Sequence, residues 1–161
     1  MIIDFSSHLI VSEVEAMLAY RGDFQLIQKN FDSVSSDPVK RIALMDRYGI
    51  DAQVLTQSTP VLEGLNAAEA AEVCRISNDV IGQIARAYPD RFVPFAVATL
   101  LDVDEAVREL ERAVRERGCR GVTIDTNHNN QRLDDPLFHP FFEKVCELDI
   151  PVFLHPMAWC S

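Results

Sequence analysis

The feature that most constrains this chain is a set of five short runs that are apolar or β-branched at nearly every position. They are Met1–Phe5, Ala52–Thr56, Phe92–Ala98, Gly121–Ile124 and Pro151–His155. A strand with one wet face alternates apolar and polar side chains. A run that is apolar throughout needs cover on both faces, as in a parallel sheet sandwiched by helices. The intervening segments carry helix punctuation. Asp37-Pro38 sets a capping side chain before a proline at the first helical position, and Gly49 supplies the stop. Asn66 with Glu69 has the spacing of a capping box and opens a helix to about Tyr88. Asp102 with Glu105 repeats the pattern, and Gly118 closes that helix; a last helix is expected over Pro136–Leu148. Strands alternating with helices imply right-handed βαβ crossovers.

Helical spacing assigns an inward stripe to each segment: Ile42, Met45 and Tyr48; then Val73, Ile76, Val80, Ile81 and Ile84; then Val103, Val107, Leu110 and Val114. Glu111 and Arg115 stand at i,i+4 on the outer face of the third. The loosest stretch is Gly22–Ser36, read as a surface loop. Two architectures accommodate this order. An open doubly wound sheet of flavodoxin type is complete with five strands, whereas a (β/α)₈ barrel needs eight units.

At 161 residues, the chain is expected to form one domain spanning 1–161. Its net charge of −10, from 25 acidic and 15 basic side chains, argues against a nucleic-acid groove or an acidic membrane surface as partner. No apolar run approaches the ~18 residues of a membrane span. The start, with Asp4 inside its apolar stretch and no basic lead, does not read as a secretory signal. Cys74, Cys119, Cys146 and Cys160 form no CxxC, so packed, reduced thiols in a cytoplasmic protein are expected.

Parallel sheets gather function at the C-terminal ends of their strands. Those ends read Ser6-Ser7-His8, Thr56-Gln57-Ser58, Ala98-Thr99, Asp125-Thr126-Asn127-His128 and His155-Pro156. With the two-residue period of an extended chain, Asp4, Ser6 and His8 would share a face. No glycine-rich phosphate loop follows the first strand and no G-x-S-x-G elbow is present. His128 reads as a solvated loop residue, and His139 as a neighbour of the last helix's hydrophobic contact. Asn127 is a turn former or a substrate-facing residue, Trp159 a pocket-lining or core aromatic. Asp125 faces a pocket or solvent, and Asp134-Asp135-Pro136 starts a helix.

Several stretches carry a family resemblance: IIDFSSHLI at the start, RIALMDRYGIDAQVLTQ at 41–57, NDVIGQIARAYPDRFVPFAVATL at 78–100, AVRELERAVRERGCRGVTIDTNHNNQRLDDPLFHPFFEKVCEL at 106–148, and PVFLHP at 151–156. The chain resembles the N-terminal part of the amidohydrolase-related family, in its aminocarboxymuconate-semialdehyde decarboxylase branch. The resemblance implies a (β/α)₈ barrel of TIM type, of which the first five βα units are present. It implies a divalent metal, zinc in the first instance, held by a His-x-His on the first strand, a histidine on the fifth, and a His and an Asp on later strands. Carried over, the ligands are His8 and His155, with Ser6 at the first position, where the family has His or Glu. Asn127 and Trp159 are the candidate substrate contacts. The implied activity is a metal-dependent lyase or hydrolase, decarboxylase-like, acting on a small carboxylated or cyclic substrate. Unpaired first and fifth strands imply a homo-oligomer. The alternatives are a non-catalytic, self-associating barrel remnant and a flavodoxin-like binding module.

Overall fold

The computed structural model describes residues 1–20, 36–128 and 131–156. Its elements, in chain order, are β1 (Ile3–Leu9), α1 (Ser12–Leu18), α2 (Pro38–Tyr48), β2 (Ala52–Gln57), a 3₁₀ turn (Thr59–Leu62), α3 (Ala67–Ala87), β3 (Phe92–Pro94) and β4 (Ala96–Val97). There follow α4 (Val103–Arg117), β5 (Val122–Asp125), a small ribbon of β6 (Asn127–His128) and β7 (Gln131–Arg132), a 3₁₀ turn (Pro136–Phe138), α5 (His139–Leu148) and β8 (Val152–His155). The caps fall where the side-chain chemistry puts them. Asp37 accepts from the amides of Val39 and Lys40. Asn66 and Glu69 close a reciprocal capping box, and Asp102 accepts from the Glu105 amide. Gly49 and Gly118 end their helices in the left-handed region, at φ 69° and 78°, where a side chain is disfavoured. Glu111 and Arg115 make the expected pair at 2.8 Å.

The sheet is parallel and runs β1-β2-β3, then β4-β5-β8. The flavodoxin-like alternative requires β1 between β2 and β3. Here β2 holds that place, so the open-sheet alternative is excluded. The sheet also curls. Phe5 on β1 meets Phe153 on β8 with ring centroids 5.1 Å apart, although those strands do not pair, and meets Phe95 at 5.4 Å. Thr56 of β2 hydrogen-bonds Thr123 of β5 at 3.0 Å across the concave side. These are the interior layers of a barrel wall. β2 from Gln53 and all of β5 are buried, in keeping with cover on both faces.

Three local readings change. The run Phe92–Ala98 is two strands, not one. At Phe95 the backbone changes neighbours: its amide donates to Leu55, and the next amide, of Ala96, donates to Gly121. Where β4 has left β2, the amide side chain of Asn78 on α3 takes over. It accepts from the Val97 amide (2.8 Å), donates to the Val97 carbonyl (3.2 Å), and donates to Glu109 (2.8 Å). Gly121 makes room for the turn of the chain at Phe95, since a Cβ there would sit 2.4 Å from that ring. The last helix starts later than expected, at His139, because Asp135-Pro136 first builds a 3₁₀ turn. In α2, Tyr48 is exposed and Arg41 is buried in its stead, bonded to the His8 carbonyl and to Gln53. The expected loop Gly22–Ser36 lies outside the described residues except for Ser36.

Two cores result. One joins α1, α2 and α3 to β1 and β2 through Leu9, Val14, Met45, Leu55, Val73 and Ile81. The other joins α4 and α5 to β4 and β5 through Leu110, Val122, Ile124, Phe138 and Phe141. Cys74 and Cys119 are buried within them, and burial pushes both thiols up, that of Cys119 to about 12. Packing, not thiolate chemistry, is their role. Cys146 is exposed, and Cys160 lies outside the described residues.

Candidate functional site

β1 delivers His8 to the C-terminal rim of the sheet, and β8 delivers His155 to the same rim. Their Nε2 atoms are 3.2 Å apart and their rings meet edge to face. One hundred and forty-seven positions of sequence separate them. The face-sharing expected of Asp4 and His8 does not hold. β1 carries one extra residue between Asp4 and Ser7 relative to β2, a bulge that shifts the alternation. Asp4 consequently accepts from Ser7 (2.7 Å) and Gln53 (2.8 Å), on the side where Arg41 packs, while His8 turns to His155. Ser6 lies in β1, within the bulge; its side chain is outside what is described.

Behind His155 stands a residue the strand-end reading passed over. Thr59, buried, begins the 3₁₀ turn after β2, and its hydroxyl is 3.0 Å from His155 Nδ1. The same nitrogen is 3.1 Å from the Pro156 carbonyl. Asp125, paired in register with His155, is buried, and the nearby Thr59 hydroxyl helps hold its carboxyl down against the effect of burial. It therefore faces the pocket side, not solvent. The sequence signal was a hydroxyl residue followed directly by a proline beyond a strand end, where a tight turn fixes the side chain.

The electrostatics favour a neutral imidazole at His8 and a reluctant carboxylate at Asp125. Burial, then the neighbouring His155 and Arg41, hold His8 below the usual 6.5. Burial raises the Asp125 carboxyl, with Thr59 and His155 opposing. A neutral imidazole is the form that binds a cation. Two nitrogens on one tetrahedral zinc, at about 2.0–2.1 Å each, would stand ~3.3 Å apart, close to the 3.2 Å observed here. His8 and His155 thus fit as two ligands of a divalent ion. Among the described residues no third His, Cys, Asp or Glu completes a group with them.

The remaining candidates scatter. His128 is not solvated: it is buried against Phe138, accepts from the Leu100 amide at Nδ1 (3.4 Å), and burial lowers it to about 4. The ribbon of β6 and β7, absent from the turn reading of this segment, folds it inward. His139 is exposed at the start of α5, and its neighbour Phe138 makes the hydrophobic contact. Asn127 is half-buried in β6, just beyond β5. Trp159 lies outside the described residues. Asp134 pairs with Arg132, and Asp135 caps the turn that follows.

Comparison with known proteins gives this rim its context. The family model described as Amidohydrolase matches residues 3–159. Gamma-resorcylate decarboxylase of Polaromonas sp. (strain JS666) is 34% identical over 124 residues, which cover 73% of this chain and 38% of that protein. The 2-amino-3-carboxymuconate-6-semialdehyde decarboxylase of Dictyostelium discoideum is 34% identical over 130 residues, covering 80% of this chain and 36% of its own length. Among solved structures, 5-carboxyvanillate decarboxylase of Sphingomonas paucimobilis superposes with a TM-score of 0.85 at 26% identity, covering 98% of this chain and 52% of that one. Dihydroxybenzoic acid decarboxylase of Polaromonas sp., solved with bound manganese and the inhibitor 2-nitroresorcinol, superposes with a TM-score of 0.82 at 27% identity, over 99% and 50%. The chain spans less than two fifths of the length of these curated relatives and about half of the solved ones. With an order of strands that curls as one side of a (β/α)₈ wall and a family match over nearly its full length, this chain belongs to the amidohydrolase family.

Proposed function

We propose that this chain provides the first half of the active-site rim of a metal-dependent decarboxylase acting on a small carboxylated ring, of the hydroxybenzoate kind. The observation that carries the reading is the 3.2 Å approach of the His8 and His155 Nε2 atoms at the C-terminal ends of two strands that do not pair with each other. His8 and His155 would hold the ion, and Ser6 occupies the sequence position where the family has His or Glu. A bound divalent ion supplies Lewis-acid polarisation of a substrate oxygen. The chain's own part is to present two pre-oriented imidazoles and to keep the buried Asp125 on the same side of the wall. Asn127 and Trp159, which follow the fourth and fifth barrel strands, are the side chains we assign to substrate. Zinc and manganese both suit imidazole and oxygen donors, and the manganese in a solved relative makes it the first ion to try.

The test is calorimetric titration of the chain with Mn²⁺ and Zn²⁺, beside His8→Ala and His155→Ala, followed by a CO₂-release assay on 2,6-dihydroxybenzoate, the ligand of one solved relative. Saturable binding lost in both variants supports the reading; binding unchanged in both refutes it. With two imidazoles and no third described ligand, affinity should be weak for the chain alone.

A second reading rests on its own observation. Among the described residues β1 pairs only with β2 and β8 only with β5, and Ile3, Phe5 and Leu154 on these strands are about half exposed. Such edges recruit further strands. We therefore propose a homo-oligomer, checked by light-scattering mass at several concentrations. No helix of the described residues is long and apolar enough to cross a membrane. The buried thiols support our placing of this one-domain chain in the cytoplasm.

A further inference from the structure

We infer that Thr59 and Asp125 form a hydrogen-bond relay that fixes the tautomer of His155, holding its proton on Nδ1 and turning the Nε2 lone pair toward His8. The inference rests on the reading of His155 as a ligand, and its two residues are new to that site.

The argument begins at Pro156. A peptide carbonyl only accepts, so its 3.1 Å contact with His155 Nδ1 requires a proton on that nitrogen. The Thr59 hydroxyl, 3.0 Å from the same Nδ1, must then accept from it. A hydroxyl that accepts has its single proton free to donate, and the buried Asp125 carboxyl, which ends β5 in register with His155, is the acceptor we assign to it. The direction along the chain is thus set throughout: His155 Nδ1–H to Thr59 Oγ1, and Thr59 O–H to the Asp125 carboxylate. In the neutral ring with its proton on Nδ1, Nε2 carries the lone pair, and it is the atom 3.2 Å from His8 Nε2.

Each member is held by a different piece of the fold. Asp125 ends β5 and is paired in register with His155 on β8. Thr59 opens a 3₁₀ turn whose Pro60 restricts the backbone and whose Val61 and Leu62 are buried, so the hydroxyl has little freedom. Thr59 and Asp125 are themselves buried, which excludes water as a competing partner and makes the two bonds worth more than at the surface. Outer partners of this kind orient a metal-binding imidazole and raise its basicity, and their loss typically costs 10–100-fold in metal affinity. Thr59 is on this view a positioning residue.

The test reads the tautomer directly, by ¹⁵N-imidazole NMR of the full chain without metal, the His155 signals being assigned by their loss in His155→Gln. Wild type should show the Nδ1–H form. An Nε2–H signature in wild type overturns the relay without recourse to any variant. Thr59→Val removes both bonds at nearly constant volume and should move the signals toward a mixture of tautomers, while Thr59→Ser should keep the wild-type pattern. Unchanged signals in Thr59→Val overturn the role of Thr59. A parallel Mn²⁺ titration separates this inference from the metal reading. If wild type binds no Mn²⁺ but the tautomer responds to Thr59→Val, the relay stands and the ligand role of His155 falls. If wild type binds and Thr59→Val binds equally with its tautomer intact, the relay falls alone. The expected result is a loss of affinity of about tenfold or more in Thr59→Val, restored in Thr59→Ser.

Discussion

Replacing Asn78 by alanine tests whether a single side chain replaces a strand at the break in this wall. Asn78 is fully buried and bonds both backbone groups of Val97, at the point where β4 has parted from β2. Truncation leaves an amide and a carbonyl of β4 facing apolar surroundings, with no water able to reach them. Each such group costs about 1–3 kcal/mol, so the expected loss is about 4 kcal/mol, a large part of the 5–15 kcal/mol typical of a domain. Glu109 loses one donor as well but keeps Arg112 at 2.7 Å, so its charge stays compensated. The assay is urea unfolding followed by circular dichroism. With a slope of about 2 kcal/mol/M the midpoint should fall by about 2 M. Asn78→Asp keeps an acceptor for the Val97 amide but sets a carboxylate against Glu109, and should do no better. As a control, Arg108→Ala breaks a 2.6 Å pair with Glu105 that is exposed on both sides, and should leave the midpoint where it was. A shift below about 0.5 M for Asn78→Ala would mean that Val97 finds other partners and that the strand-surrogate argument is wrong.

Further expectations concern acid stability and the tight contact behind Phe95. His128 is buried at about 4 against an ordinary 6.5, so the folded state binds its proton less readily than the unfolded state. Its contribution is complete above pH 6.5 and is lost as pH falls toward 4, about 3 kcal/mol over the window. His128→Gln should flatten the fall in unfolding free energy between pH 7 and 4.5 by most of that amount; an unchanged slope refutes the assignment. Asp125 works in the opposite sense, since its raised pKa adds stability as pH falls, and comparing the variant with wild type cancels it. Gly121→Ala places a methyl 2.4 Å from the Phe95 ring and should cost about 1–3 kcal/mol in a thermal or urea melt, with partial recovery in a Phe95→Leu background. Additive effects of the two substitutions would show that they do not share the space.

The sequence by itself determined the elements and their punctuation. Caps at Asp37, Asn66 and Asp102, stops at Gly49 and Gly118, and the doubly covered strands are local matters, set by side chains within a few positions of the backbone they serve. It also placed His8 and His155 at strand ends. What it did not contain was the order of those strands, because five βα units satisfy local propensity equally well in an open or a curled sheet; the placement of β2 beside β1 is a tertiary choice. Nor did it contain the bulge in β1, which parts Asp4 from His8 by changing the pairing with β2, a relation across strands that no period of two within one strand records. His128 was misread because a polar neighbourhood in sequence became a buried one once β6 folded against Phe138. Thr59 was missed because its partner lies 96 residues away. Residue type and spacing fix which atoms reach the rim, whereas curvature alone decides which of them meet.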